Sequence, residues 1–361
     1  LTIAMPELNR GSYGGYDASN YASRIVHNLY DNIVKRDWLS KPNGTGIELV
    51  PGLATSWTQI SPTEWELKIR QGVKFHNGRE MTADDVAFTL SQERREIRNH
   101  SIATPIKGAR VVDAQTIIVE THAPDAAFLP RLSTRAGKVV PEDVYRELGH
   151  PAFAGAPIGT GPYYIDEVTP DTLTLLPFDD YWGGKPPLSK ITYKAVPETS
   201  ARIAGLITGE YDIITSIPPD QAELIDRESD YETRSIEVEN MHHLTFMTGC
   251  GEEGVGCDRG DGREAAVRNP LVRKAMIMAV DRQKIADRLW NGLAKVPAGP
   301  SWPMYGDLHD ADRAPIGFDP EGAKALLEEA SYDGQEIVIA VTAGYYVNGD
   351  RAVQVMMEMW K

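Results

Sequence analysis

Several clusters in this chain hold residues able to do chemistry, and each has a plainer reading beside it. Met241-His242-His243 is the one place where two of the eight histidines adjoin. Neighbours on a strand point to opposite faces, so the pair cannot grip a single metal ion without distortion. One packed and one solvated imidazole is the expectation. Cys250 and Cys257, the only cysteines, flank GEEGVG, a spacing at which they can bridge or stay free thiols. The local loop adds only Asp and Glu, which does not make a zinc site. Glu252, Glu253, Asp258 and Asp261 lack the alternating-oxygen spacing of a calcium loop. No G-x-S-x-G, H-E-x-x-H, C-x-x-C or G-x-x-x-x-G-K-[ST] string occurs, so no enzyme and no cofactor is expected. GTGPY (159–163) has phosphate-loop glycines only superficially, because YYI continues it as a strand.

Two segments suit binding instead. Gly11-Ser12-Tyr13-Gly14-Gly15-Tyr16-Asp17 joins glycines, which let a ligand approach the backbone, to tyrosines, which offer stacking area with a polar tip. Ser133-Thr134-Arg135 offers a guanidinium able to hold a carboxylate or phosphate bidentately. Against these stand an ordinary surface loop and a surface arginine paired with nearby acids.

The elements that must position such residues read as mixed α/β. Trp65, Leu67 and Ile69 alternate with Glu66, Lys68 and Arg70, the period of a half-buried strand. Asn77-Gly78 marks a turn, and Thr82 stands as N-cap ahead of Asp84 and Asp85. Leu1 to Ala4, 111–120, 172–178, 189–196, 236–238, 244–246 and 337–341 read as strands. Thr199, Asn269 and Asp319 each stand where a helix should begin, two of them before a proline. At 361 residues two lobes are expected on size, and 42% hydrophobic with 25% charged residues is ordinary for a globular protein. A net charge of −15 argues against nucleic acid or an anionic membrane as partner. No apolar run reaches the roughly 20 residues that span a bilayer.

As a string, LATSW…WELKIRQGVKFHNGREMTADDVAFTL (53–90) resembles the family 5 extracellular solute-binding proteins. These are the peptide, opine and nickel receptors of ABC importers. IGTGPYYIDEV (158–168), FDDYWGGKPPLSKITYKAVPETSARIAGLITGEYDII (178–214) and NPLVRKAMIMAVDRQKIADRLWNG (269–292) follow in family order. The resemblance implies a two-lobed type II (cluster C) periplasmic binding fold with an extra subdomain at about 45–160 in lobe I. Lobe I would run over 1–248, an acidic crossover over 249–264, and part of lobe II over 265–361, with the chain ending before that lobe is complete. It also implies a monomer in the periplasm, its export signal outside this chain, and an ABC permease as partner. The ligand would be a di- or oligopeptide. An opine, a sugar-phosphate conjugate or a metal chelate is the alternative, as is a chaperone or signalling protein on the same scaffold. On this placement Tyr13, Tyr16, Asp17 and Arg135 face the cleft from lobe I. Met247 and Thr248 lie at the hinge, and Trp302, Tyr345, Tyr346 and Asn348 face it from lobe II. Export favours a Cys250–Cys257 disulfide over free thiols.

Overall fold

The computed structural model describes residues 1–9, 13–15, 20–38, 48–91, 104–227, 230–235, 241–246, 266–299, 309–341 and 346–361. The chain divides into two compact units, Leu1–Thr215 and Ser216–Lys361. The expected crossover at 249–264 lies outside the described residues.

The first unit holds strands β1 (Thr2–Met5), β2 (Val34–Arg36), β3 (Leu49–Pro51), β4 (Ala54–Ser61), β5 (Glu64–Ile69), β6 (Ile106–Asp113), β7 (Thr116–Thr121), β8 (Tyr163–Val168), β9 (Thr172–Pro177), β10 (Ile191–Ala195) and β11 (Ile213–Ile214). One sheet has the order β11-β1-β10-β9-β8. In it β1 runs parallel to both β10 and β11, while β9 is antiparallel to its two neighbours. Parallel neighbours need a crossover, and the crossover from β1 to β10 contains β2 to β9. Inside it lies a second, antiparallel sheet of order β4-β5-β7-β6.

The alternation in β5 works as read: Leu67 and Ile69 are buried and Lys68 is exposed. They join Val73, Phe75, Val86, Ile117, Val119 and Phe128 in one apolar core. Trp65 is only partly buried and stacks on Phe128, with ring centroids 5.2 Å apart at 28°. Trp65→Ala should therefore cost about 2–3 kcal/mol, below the 3–5 of a fully enclosed aromatic. Urea unfolding of the two proteins measures it, and a loss under 1 kcal/mol would mean the ring hardly contributes.

The segment read as one strand over 111–120 is a hairpin. Gln115 N–H donates to Asp113 Oδ1 at 2.8 Å, an Asx turn that reverses the chain between β6 and β7. The helix Thr199–Ile207 begins after Glu198, and Thr199 gives it no side-chain cap. Residues 244–246 and 337–341 form no strand; no ladder pairs them among the described residues, and Val338 is 76% exposed.

Among the described residues of the second unit the α-helices are Pro219–Asp226, Pro270–Met278, Arg282–Leu289, Pro320–Glu329 and Gly349–Met359, and no strand is present. Asn269, Asp281 and Asp319 cap three of them, accepting from Leu271, Lys284 and Gly322 N–H. Val280, Ile285 and Ala352 form a small core, with Trp290, Met356 and Trp360 packed on it. Trp360 Nε1 donates to Met276 O at 2.8 Å, which ties the last helix to Pro270–Met278. No helix among the described residues is long and apolar enough to cross a membrane.

Candidate functional site

In the first unit, polar side chains gather beneath the turn that carries Arg135. The helix Asn20–Leu29 ends at Tyr30, and the next residues, Asp31 and Asn32, are both buried. Asp31 accepts from Trp182 Nε1 at 2.6 Å and Tyr181 OH at 3.2 Å, and pairs with Lys35 at 2.5 Å. Arg70 and Lys35 lie over the Trp182 ring at 4.3 and 4.9 Å. Burial, reinforced by the Asp31 carboxylate, pushes the Tyr181 phenol well above its ordinary value, so it stays a donor. Asn32 Nδ2 donates to Thr134 O at 2.5 Å, Ile33 N–H to Gly137 O at 2.8 Å, and Arg36 Nε to Ser133 Oγ at 2.9 Å. The Ser133–Lys138 turn is thus held by two successive residues, Asn32 and Ile33, and by Arg36. Arg135 is partly exposed on it, and among the described residues its guanidinium makes no hydrogen bond or ion pair. A fixed backbone with a free planar cation is an arrangement that can receive a carboxylate.

Behind Arg135 stands Lys138, only 2% exposed, its Nζ 3.2 Å from Asn32 Oδ1 and 3.4 Å from His27 Nδ1. Burial brings this amine down to about 7; Asp31 opposes that shift, while Arg135 and Lys35 add to it. Burial and the neighbouring Lys138 take His27 down to about 4. This group of Asp31, Tyr181, Trp182, His27 and Lys138 is absent from the sequence-based candidates. The strings HNLYDNIV, RAGKVV and FDDYWGG hold its members but do not show that they meet.

Tyr13 is a core residue: it is 1% exposed, and its hydroxyl donates to Leu8 O at 2.7 Å. Its ring therefore has no free face for a ligand, and it braces the loop it was expected to offer. Gly14 lies against His150, with 3.1 Å to an added Cβ. Tyr16 and Asp17 lie outside the described residues, as do Met247, Thr248, Trp302, Tyr345, Cys250 and Cys257. The GTGPY glycines are explained by packing. A Cβ on Gly159 would sit 2.0 Å from Leu29 O, and one on Gly161 2.4 Å from Asn28 O.

In the second unit, His242 meets the Trp290 ring at 5.4 Å edge-on and the Tyr346 ring at 5.0 Å. Burial against them, with His243 beside it, lowers the His242 pKa. Both histidines keep substantial exposure, so the expected division into one packed and one solvated ring is partial. Tyr346 is 45% exposed. Asn348 adopts φ +59° and donates through Nδ2 to Leu289 O at 2.5 Å, so its amide satisfies a helix-end carbonyl and orients the start of Gly349–Met359. Among the described residues no group of three or more His, Cys, Asp or Glu could hold a metal ion.

These features can bind but show no nucleophile activated by a base. Sequence and fold comparisons agree on the kind of protein. The heme-binding protein A of Haemophilus influenzae is 29% identical over 325 residues, covering 81% of this chain and 55% of that protein. The dipeptide-binding protein of Escherichia coli K12 is 26% identical over 347 residues, covering 87% of this chain and 61% of its own length. The chain thus spans little more than half of the curated relatives it matches. Among solved structures, the periplasmic binding protein DppA of Helicobacter pylori with peptide STSA superposes with TM-score 0.78 at 22% identity, covering 99% of this chain and 71% of that one. MoaA of A. tumefaciens R10 with mannopinic acid gives TM-score 0.80 at 21%, covering 99% and 70%. The fold is that of the two-lobed type II periplasmic binding proteins. The profile of "Bacterial extracellular solute-binding proteins, family 5 Middle" matches residues 48–361. Carrying that match over most of its length, the chain belongs to the family 5 extracellular solute-binding proteins.

Proposed function

We propose that this chain is the ligand-capturing part of an ABC importer's periplasmic receptor, which closes its lobes around a di- or oligopeptide and delivers it to the membrane permease. It acts as a monomer and changes conformation, without transforming its cargo. The observation that carries this reading is Arg135, a guanidinium unpaired among the described residues and held on a pinned turn in a protein of net charge −15. A zwitterionic peptide needs such an anchor for its carboxylate. The names of the relatives agree, since dipeptide, oligopeptide and glutathione all carry carboxylates. Tyr346 would add stacking area, with Asn348 fixing the helix start beside it. Tyr16, Asp17, Met247, Thr248, Trp302 and Tyr345 complete the proposed contact set, with a Cys250–Cys257 bridge in the acidic loop.

Native mass spectrometry of purified protein should reveal a co-purified peptide by its mass. Calorimetric titration of that peptide should then show Arg135→Ala weakened by about 2–5 kcal/mol if the pair is desolvated. Wild-type affinity in the variant would remove Arg135 from the site.

A further inference from the structure

Asn32 reaches both ends of the turn that carries Arg135. Its Nδ2 donates to Thr134 O at 2.5 Å and Leu132 O at 3.4 Å, and its Oδ1 accepts from Lys138 Nζ at 3.2 Å. The carbonyls require donors on one side and the amine, charged or neutral, requires an acceptor on the other. At this length asparagine meets both demands, whereas aspartate lacks the donors and alanine lacks everything. Asn32 is 6% exposed, and its main chain is fixed as well. It pairs with Lys138 in an antiparallel bridge, Ile33 N–H donates to Gly137 O at 2.8 Å, and Leu53 N–H donates to Asn32 O at 3.0 Å.

The turn is closed tightly against the same group. A Cβ on Gly137 would sit 1.8 Å from Leu132 O, the carbonyl that also takes Asn32 Nδ2. Gly137 N–H donates to Thr134 O at 3.2 Å, and Lys138 N–H to Arg135 O at 3.4 Å. Arg135 stands partly exposed between these contacts, with Ala136 and Gly137 buried after it. We propose that Asn32 is the positioning residue for Arg135: its amide fixes the turn, so that the guanidinium meets a ligand carboxylate on a backbone already ordered. This rests on the reading of Arg135 as a carboxylate anchor, and it names the side chain that sets the anchor's geometry.

Ala-Ala-Ala and its C-terminal amide differ in the carboxylate alone, so calorimetric titration of each into the full chain reads the anchor. Wild type should prefer the acid by about thirtyfold or more. Asn32→Ala should weaken the acid about tenfold and the amide less than about twofold. In the double variant it should add nothing to Arg135→Ala. Asn32→Asp keeps the size and the acceptor for Lys138 but turns the donors into an acceptor, so it should weaken the acid likewise. Hydrogen exchange at the Gly137 and Lys138 amides should quicken about tenfold in both single variants, with no change at the β9–β10 ladder. Equal affinity of wild type for acid and amide, or an acid preference kept in Arg135→Ala, overturns the anchor reading. A preference lost in Arg135→Ala but kept in Asn32→Ala overturns the role of Asn32 alone. So does a loss confined to Asn32→Asp, which would belong to the added charge, and so does unchanged exchange at Gly137 and Lys138.

Discussion

Replacing Asp85 with alanine is expected to cost about 3–5 kcal/mol, because it breaks a partly buried ion pair and uncaps two helices at once. The Asp85 side chain is 3% exposed. Its Oδ1 accepts from Arg79 Nη2 at 2.6 Å and from Glu142 N–H at 2.9 Å. Its Oδ2 accepts from Arg79 Nη1 at 3.0 Å, Thr82 N–H at 2.8 Å and Thr82 Oγ1 at 2.9 Å. Within its own helix, Ala83–Thr89, it completes a reciprocal capping box with Thr82. For the helix Glu142–Gly155 it supplies the acceptor that the N-cap Pro141 cannot provide from its side chain. Alanine leaves Arg79, packed over Phe75, with the exposed Asp143 carboxylate at 3.1 Å and the Glu80 carbonyl at 3.2 Å. Asparagine should be intermediate, since its amide nitrogen would face donors. Asp84→Ala, one residue away and exposed, should stay within about 0.5–1 kcal/mol. Urea midpoints of the three variants decide it, and a loss in Asp85→Ala no larger than in Asp84→Ala removes the cross-link from the account.

That residue shows what the sequence could and could not disclose. Thr82 as N-cap and acid in the first turn follow from local chemistry, because cap and box span three residues. The reach from Asp85 to Glu142 is a tertiary contact with no local trace. The same division runs through the candidate site. Gly78 at φ +84° and the caps at Asn269 and Asp319 were legible because turn and cap preferences act over a few positions. Asp31 meeting Trp182 was not, for the two sit in unrelated strings that the fold brings together. A continuous apolar run made 337–341 look like a buried strand, yet a strand exists only with a partner to complete its hydrogen bonds. Tyr13 misled for a related reason: a tyrosine among glycines suits a ligand loop and a core anchor equally, and only packing distinguishes them.

Acidification from pH 7 to 4.5 is expected to remove up to about 3 kcal/mol of stability for each of His27 and His76, beyond what the carboxylates contribute. His76 Nε2 lies 3.0 Å from Gly161 O, and its Nδ1 accepts from Gly159 N–H at 3.3 Å. The neutral ring with its proton on Nε2 satisfies both contacts. A second proton, on Nδ1, would set two donors head to head in a mostly buried site. Burial, partly offset by the Gly161 carbonyl, takes His76 down to about 4. His27 reaches about 4 through burial and Lys138, whose ammonium it would face as a cation. In both cases the unfolded value, near 6.5, lies above the folded one, so the unfolded chain takes up its protons first as pH falls. The stabilisation is complete above about pH 6.5 and is lost progressively toward pH 4. Guanidinium unfolding at pH 7.0 and 4.5 should show the loss in wild type. His76→Gln, which keeps a donor for Gly161 O but cannot be charged, should start less stable and lose about 2–3 kcal/mol less over the same interval. Should wild type and His76→Gln fall in parallel, the acid limb belongs to the carboxylates and the Gly159–Gly161 contacts tolerate the imidazolium.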